Sequence, residues 1–305
     1  MKNKREPATF HIMKKCGLNH KFQHLALILL IFFSPLAYGD DVNEMPSYYQ
    51  TLIDRLSKEG FDFEFLSKLL RDSRAGFIPE LTLISLISRE TPEAYAQFLS
   101  PESVLLAKKF LHQNDKLLRQ MEQQFNVDKE VTVAILLVES RFGENIGKYR
   151  VIPTLTSMAL MDSTEILQKT YQNFQEINPE LSCEWIEGLV KRKAEWAYQE
   201  LKCFLKIVQK EKSDPLEVFG SYAGAMGMPQ FLPSSYLTYA VSKNSLERWI
   251  LNKEEAIFSI GNYLKSHGWK KDLSMNQKKQ ILYRYNQSDP YVETILQVAQ
   301  KIKNR

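Results

Sequence analysis

One carboxylate in this chain has a setting that suits proton transfer. Glu139 follows the apolar run Val133–Val138 and precedes Gly143, a residue that can end a helix. A helix this apolar is expected to be buried, and burial raises the pKa of a carboxyl group because it disfavours the charged form. A carboxyl that keeps its proton near neutral pH can act as a general acid. The alternative is a surface glutamate at a helix end, paired with Arg141.

A glycine-rich segment, residues 220–235, offers a surface for a ligand. Its first eight residues include three glycines and two alanines, so the backbone can approach a bound molecule closely. Gln230, Phe231 and Tyr222 add amide and aromatic surface, which suits the hydroxyls and C–H faces of sugars. No lysine follows the glycines as a phosphate-binding Walker motif requires. A close crossing of two helices through small residues is the alternative.

A third segment, residues 283–291, contains five tyrosine or amide side chains, which include Tyr285 and Tyr291. We predict that it forms a short turn before the last helix. Taken alone, such a turn is more typical of packing than of binding.

The charge of the chain argues against several classes of function. The net charge is +4, but residues 1–39 hold six of the 40 basic side chains and one of the 36 acidic ones. The rest of the chain is therefore close to neutral, which does not indicate a nucleic-acid partner. Beyond residue 39 only His112 and His267 remain, so a Ser-His-Asp triad or a histidine-rich metal site would depend on these two.

The N-terminus has the order of a secretory signal. A basic stretch precedes the apolar run Leu25–Phe33, and small residues around Ala37 and Gly39 follow. The run is too short for a comfortable bilayer span of about 20 residues. We therefore predict a signal peptide over residues 1–39 and an exported, periplasmic chain over 40–305 with no membrane span. The alternative is an uncleaved membrane anchor. A lipoprotein is not expected, because Cys16 lies upstream of the apolar run and a lipid-modified cysteine would follow it.

Helical periodicity dominates the rest of the chain, so we predict a mainly α protein. Cys183 directly precedes one predicted helix and Cys203 lies near its other end. A continuous helix would hold the two cysteines too far apart for a disulfide. The predicted helices are Pro46–Lys58, Glu64–Arg71, one from Ser100 towards Phe125, one from Asp128 to 139–143, Pro153–Met161, Thr164–Phe174, Glu184–Lys210, Ser234–Val241, Glu254–His267 and Pro290–Lys303.

Four segments in this order resemble the lytic murein transglycosylase B family, glycoside hydrolase family 103. The glycine-rich segment is highly specific and the others moderately so, and the resemblance runs from about Met45 to the C-terminus. The segments are Glu-Ser-x-Phe-Gly at 139–143, Gly-Ser-Tyr-Ala-Gly-Ala-Met-Gly-x-x-Gln-Phe-x-Pro-Ser-Ser-Tyr at 220–236, Ala-Ile-x-Ser-Ile-Gly-Asn-Tyr-Leu-Lys-Ser-His-Gly-Trp at 256–269 and Arg-Tyr-Asn-x-Ser-x-x-Tyr at 284–291.

The resemblance implies a lysozyme-like helical fold, two-lobed with a central cleft, that binds peptidoglycan glycan strands. It implies cleavage of the β-1,4 bond between N-acetylmuramic acid and N-acetylglucosamine without water, leaving a 1,6-anhydro ring. Glu139 matches the catalytic acid, which would act first as acid and then as base. The substrate-binding residues implied are Ser221, Gln230, Phe231, Tyr285 and Tyr291, and we add Tyr222 for its aromatic ring in the glycine-rich segment.

The chain also departs from the family. Met228-Pro229 replaces a common Tyr-Gly pair, and residues 240–249 lack the acidic residues of a calcium loop, so we expect no metal or other cofactor. A hydrolytic muramidase on the same fold and a non-catalytic peptidoglycan-binding protein are the alternative functions.

Overall fold

The computed structural model describes residues 45–88, 90–177, 182–211, 213–242 and 245–303. The predicted signal peptide lies outside these residues. Within the described ranges, no helix is both long enough and apolar enough to cross a bilayer.

The prediction of a mainly α protein is confirmed, and short 3₁₀ turns and one small sheet complete the chain. In chain order the helices are α1 Ser47–Lys58, α2 Phe63–Arg71, α3 Pro79–Ile87, α4 Pro92–Ala96, α5 Pro101–Gln113, α6 Asp115–Phe125, α7 Lys129–Ser140, α8 Val151–Ala159, α9 Thr164–Ile177, α10 Cys183–Glu211, α11 Pro233–Tyr239, α12 Leu246–Trp249, α13 Lys253–Ser266, α14 Met275–Tyr285 and α15 Asp289–Lys303.

Two helices form the centre of the packing. In α7, every residue from Val131 to Leu137 is buried, and in α8 all nine residues are buried. Helix α7 packs against α15 and α5, whereas α8 packs against the long helix α10 and against α3. A helix that is apolar on all sides must be surrounded by other elements, which explains these central positions.

The only sheet in the described ranges joins two segments that are far apart in sequence. Strand β1, Tyr149–Arg150, pairs antiparallel with β2, Phe219–Gly220. This pairing fixes the start of the glycine-rich segment beside the N-terminus of α8. Cys183 and Cys203 are both unpaired and lie on α10, as the helix prediction requires.

Two predicted elements were wrong. The helix predicted from Ser100 towards Phe125 is interrupted at Asn114, which is buried and whose side-chain amide donates to the Phe110 carbonyl at 2.8 Å. The backbone amide of Asn114 donates to the same carbonyl at 3.0 Å, but the Asn114 backbone leaves helical geometry, with φ of −115° and ψ of 18°, so α5 ends and α6 begins there. The turn predicted over 283–291 is also wrong, because Tyr283 and Tyr285 belong to the last turn of α14.

Helix α14 has an N-terminal signal that the sequence carries. Ser274 accepts a hydrogen bond from the Gln277 amide, and the Gln277 side chain accepts one from the Ser274 amide. This reciprocal capping box stabilises a helix start. Asp128, where the sequence predicts the start of α7, makes no such capping bond. Its carboxylate instead accepts from the Trp269 indole at 3.0 Å and from Lys278 at 3.1 Å.

Candidate active site

Glu139 occupies the last turn of α7, between buried residues and solvent. The side chain is half-buried, and Ser140 beside it is buried. Desolvation raises the pKa of Glu139 to about 8, the nearby Tyr291 hydroxyl lowers it as a hydrogen-bond donor, and the charge of Glu90 raises it. The carboxyl is therefore mostly protonated at neutral pH, as a general acid must be.

The chain leaves α7 through a tight left-handed turn. Arg141, Phe142 and Gly143 have φ values of 47°, 62° and 95°, a region that costs energy for the first two residues. The Ser140 hydroxyl stabilises the turn by accepting from the Gly143 amide at 3.0 Å and donating to the Met228 carbonyl at 2.8 Å. The end of α7 is thus attached directly to the glycine-rich segment.

The alternative interpretation required an ion pair between Arg141 and Glu139, and this pair is not formed. The Arg141 guanidinium lies 3.3 Å from Glu144 instead. The Phe142 ring stacks on Phe110 with ring centroids 4.1 Å apart, which compensates for the unusual backbone of this turn.

Two tyrosines from the C-terminal helices cover the Glu139 carboxyl. Tyr291, in the first turn of α15, and Tyr285, in the last turn of α14, have stacked rings with centroids 6.3 Å apart. Burial and the nearby Glu139 raise the pKa of both hydroxyls well above the usual range. Both therefore remain neutral hydrogen-bond donors at any physiological pH.

The two hydroxyls have different partners. Tyr285 donates to the Pro229 carbonyl at 2.6 Å. The Tyr291 hydroxyl is buried and, among the described residues, has no hydrogen bond of standard geometry. It is near enough to lower the pKa of Glu139, and it is available to donate to that carboxylate once the proton has left.

The glycine-rich segment is packed too closely for larger residues. A Cβ atom at Gly220 would lie 2.3 Å from the Ala225 carbonyl oxygen, and one at Gly147 would lie 1.9 Å from the Gly220 oxygen. Gly224 and Gly227 adopt φ of 79° and 67°, with Leu155 and Trp249 side chains 2.8 Å from their would-be Cβ atoms. Close packing of backbone therefore accounts for the glycines of this segment.

The predicted residues of this segment have distinct surroundings. The Ser221 hydroxyl accepts from the amides of Ala223 and Ala225, at 3.2 and 3.1 Å, so it stabilises its own loop. The Gln230 amide donates to the carbonyls of Gly227 and Ile146, at 2.8 and 3.2 Å. Both side chains remain half-buried, so part of each is open to a ligand.

Tyr222 and Phe231 differ in exposure. Tyr222 is 38% exposed, and both a hydrogen bond with Ser88 and the charge of Glu90 act on its hydroxyl. Phe231 is only 2% exposed, and its ring packs between Trp249 and Tyr285. A ring this deep supports Tyr285 from behind and does not present a face to a ligand, contrary to the direct sugar contact predicted for Phe231.

Three residues near Glu139 were missed in the sequence. Glu90 lies in the loop between α3 and α4, where Tyr95 donates to it at 2.5 Å and Asn286 donates to it at 3.0 Å. The Tyr95 ring lies edge-on to Tyr291, with centroids 6.1 Å apart. Only the Asn of the motif at 284–291 gave a signal, since Glu90 and Tyr95 lie in a segment with no recognisable pattern.

The family assignment follows from the sequence match. Residues 45–280 match the family described as Transglycosylase SLT domain. The chain belongs to this family. The match includes Glu139 and the glycine-rich segment, and it ends before Tyr285 and Tyr291.

The chain is similar in sequence to a curated relative, the membrane-bound lytic murein transglycosylase B of Escherichia coli K12. The two are 29% identical over 251 residues, which cover 76% of this chain. The chain spans 60% of the length of that relative.

Solved structures establish the lysozyme-like transglycosylase fold. Escherichia coli lytic transglycosylase Slt35, in complex with bulgecin A, superposes with a TM-score of 0.66 at 23% identity, over 84% of this chain and 93% of that one. Soluble lytic transglycosylase SltB1 from Pseudomonas aeruginosa gives a TM-score of 0.64 at 23% identity, over 84% and 98%. SltB3 from the same organism, in complex with NAG-anhNAM-pentapeptide, gives 0.64 at 19% identity, over 84% and 79%.

Proposed function

We propose that this protein is a lytic transglycosylase that cleaves peptidoglycan glycan strands. The observation that carries the proposal is the protonated Glu139 carboxyl, half-buried beneath two neutral tyrosines. Membership of the transglycosylase family and the relative named lytic murein transglycosylase B support the substrate class. The bond cleaved is the β-1,4 linkage between N-acetylmuramic acid and N-acetylglucosamine.

In the first step Glu139 donates its proton to the glycosidic oxygen, and the bond from that oxygen to C1 of the muramic acid breaks. The N-acetylglucosamine leaves with a free 4-hydroxyl. The N-acetyl group of the muramic acid stabilises the electron-deficient C1. The Tyr291 hydroxyl, near the Glu139 carboxyl, donates to the carboxylate formed in this step.

In the second step the Glu139 carboxylate takes the proton from the C6 hydroxyl of the same muramic acid. The C6 oxygen attacks C1 at the same time. A 1,6-anhydro ring forms and Glu139 regains its proton, so no water is consumed. Intramolecular attack replaces the second carboxylate of ordinary glycosidases, because a tethered nucleophile has a large effective molarity.

Ser221, Tyr222, Gln230 and Tyr285 are proposed to hold the glycan. Ser221 and Gln230 stiffen the loop that carries them and keep part of their surface open. The exposed face of Tyr222 suits stacking on a sugar ring. We also propose export to the periplasm, where peptidoglycan lies, on the basis of the N-terminal sequence.

Product analysis on purified sacculi tests the proposal. The wild-type protein should release muropeptides with 1,6-anhydro ends, detected by mass spectrometry, and Glu139→Gln should lower the rate by roughly 10²–10⁴-fold. Glu144→Gln is the matched control, since Glu144 is exposed and lies five residues away. Reducing ends in place of anhydro ends would identify a hydrolase. Sacculus binding that is equal in wild type and Glu139→Gln, without turnover in either, would identify a binding protein.

A further inference from the structure

A second carboxylate, Glu90, is held beside Glu139 by donors from two different helices. The Tyr95 hydroxyl, from α4, donates to one Glu90 oxygen at 2.5 Å. The Asn286 side-chain amide, at the end of α14, lies 3.0 and 3.3 Å from the two oxygens. These bonds hold an otherwise exposed carboxylate in one orientation.

Both donors are neighbours of the tyrosines that cover Glu139. Asn286 directly follows Tyr285, whose hydroxyl is bonded to Pro229. Tyr95 packs edge-on against Tyr291, whose hydroxyl acts on the Glu139 carboxyl as a hydrogen-bond donor. Glu90 therefore connects the α3–α4 loop to both C-terminal helices at the site.

The charge of Glu90 bears directly on the ionisation of Glu139. Across the described ranges, no lysine or arginine forms an ion pair with Glu90. The other titratable groups that face Glu139 are Tyr291 from α15, Tyr285 from α14 and Tyr95 from α4, and all three are neutral. Glu90 is thus the one charged group that acts on Glu139 from the described part of the chain.

We propose that Glu90 is a positioning residue of the site, which orients Tyr95 and Asn286 and maintains a negative charge beside the catalytic acid. A like charge disfavours ionisation of Glu139, so the acid keeps its proton at higher pH. Protonation of the glycosidic oxygen would then remain efficient into the alkaline range. The effect of Glu90 on the reaction rests on the proposed function, whereas its effect on the ionisation of Glu139 does not.

The geometry favours this role over that of a second catalytic group. In an inverting glycosidase, the second carboxylate binds and activates a water molecule. Here three of the roughly four acceptor positions of the Glu90 carboxylate are already filled by Tyr95 and Asn286, which leaves little room to bind and activate a water. We therefore assign Glu90 a positioning role beside Glu139 and not a catalytic one.

Glu90→Gln tests the inference, because glutamine keeps the shape and one acceptor oxygen but removes the charge. Glu93→Gln is the matched control: it removes an exposed carboxylate three residues away, in the first turn of α4, and the charge of Glu93 is not among the causes that shift the pKa of Glu139. The first measurement is the pH profile of anhydro-muropeptide release. In Glu90→Gln, the rate at pH 8.5 relative to that at pH 5.5 should fall roughly three- to tenfold, and in Glu93→Gln it should be unchanged.

The second measurement does not depend on turnover. The Glu139 carboxyl is followed through a pH titration by ¹³C NMR of glutamate-labelled protein, and the resonance is assigned by its loss in Glu139→Gln. We expect the Glu139 midpoint to fall in Glu90→Gln and to stay in place in Glu93→Gln. An unchanged midpoint in Glu90→Gln overturns the inference, even if the protein is an active transglycosylase.

The two measurements separate the inference from the proposed function. A shifted midpoint in a protein without turnover on sacculi rejects the function and leaves the electrostatic role of Glu90 intact. Loss of reducing-end products in Glu90→Gln, from a wild-type protein that makes them, would show that Glu90 is a hydrolytic base and would overturn the inference. Glu90→Ala, which also removes both hydrogen bonds, should lower the rate at all pH values more than Glu90→Gln does.

Discussion

The Tyr285 hydroxyl donates a 2.6 Å hydrogen bond to the carbonyl oxygen of Pro229, which joins the end of α14 to the glycine-rich segment. Through this bond a residue near the C-terminus contacts a loop more than fifty residues earlier in the chain. The Ser140 hydroxyl bonds to the next carbonyl, that of Met228, from the end of α7. The loop is thus attached on two sides to the helices that carry Glu139 and its tyrosines.

Tyr285→Phe should destabilise the protein and weaken substrate binding. It removes the donor and leaves the buried Pro229 carbonyl without that partner, which costs about 1 kcal/mol. For a chain of this size we expect the melting temperature to fall by about 2–4 °C. Differential scanning calorimetry and the KM for soluble glycan strands measure the two effects. Tyr283→Phe is the control, because Tyr283 is 42% exposed, and an equal effect there would contradict the prediction.

Tyr291→Phe should change the pH dependence of the reaction. The Tyr291 hydroxyl lowers the pKa of Glu139, so its removal should raise that pKa further. The alkaline limb of the rate profile then moves to higher pH. Below pH 7 the rate should fall roughly tenfold, since the carboxylate formed after proton donation loses a donor. An alkaline limb that moves to lower pH in this variant would reject the proposed contact.

Glu139→Gln should stabilise the protein at alkaline pH. The pKa of Glu139 is about 8 in the folded state against 4.5 for the unperturbed group, so the folded protein binds more protons between these values. The free energy of unfolding contributed by Glu139 therefore falls as the pH rises from about 4.5 to 8. Glutamine does not titrate, so the variant loses no such contribution.

Thermal unfolding at several pH values measures this effect. The difference in melting temperature, variant minus wild type, should be larger at pH 8.5 than at pH 5. Glu144→Gln should show no such trend, because Glu144 is exposed. A difference that stays constant across this range would mean that Glu139 is ionised throughout.

Gly147→Ala should disrupt the small sheet. Gly147 has a φ of 97°, and an added Cβ would lie 1.9 Å from the Gly220 carbonyl oxygen. Because both the backbone angle and the contact oppose a side chain, we expect a loss of more than about 2 kcal/mol. Urea unfolding measures it. Gly76→Ala is the control, since Gly76 has a φ of −52° and its nearest atom would be 3.5 Å away, and its stability should change by less than about 1 kcal/mol.

Much of this protein follows from local sequence. The apolar run before Glu139 determines a buried helix, and this burial is what raises the pKa of the carboxyl at its end. The 3.6-residue periodicity of Cys183–Glu211 likewise predicts one long helix that keeps its two cysteines apart. These features are predictable because they depend on neighbours in the chain. The family motifs are likewise contiguous in sequence, so they indicate the segment that carries the proposed catalytic acid.

Other features depend on contacts between distant segments, which no local pattern reports. Asn114 divides a helix at a buried position where its backbone is not helical and its side chain bonds to the Phe110 carbonyl. Phe231 lies behind Tyr285 because three helices meet there, and Glu90 reaches Glu139 because the α3–α4 loop packs beside the C-terminal helices. The sequence alone therefore indicated most of the helices and the acid. Only tertiary packing decided which side chains surround that acid, because burial and charge at a site sum over residues remote in sequence.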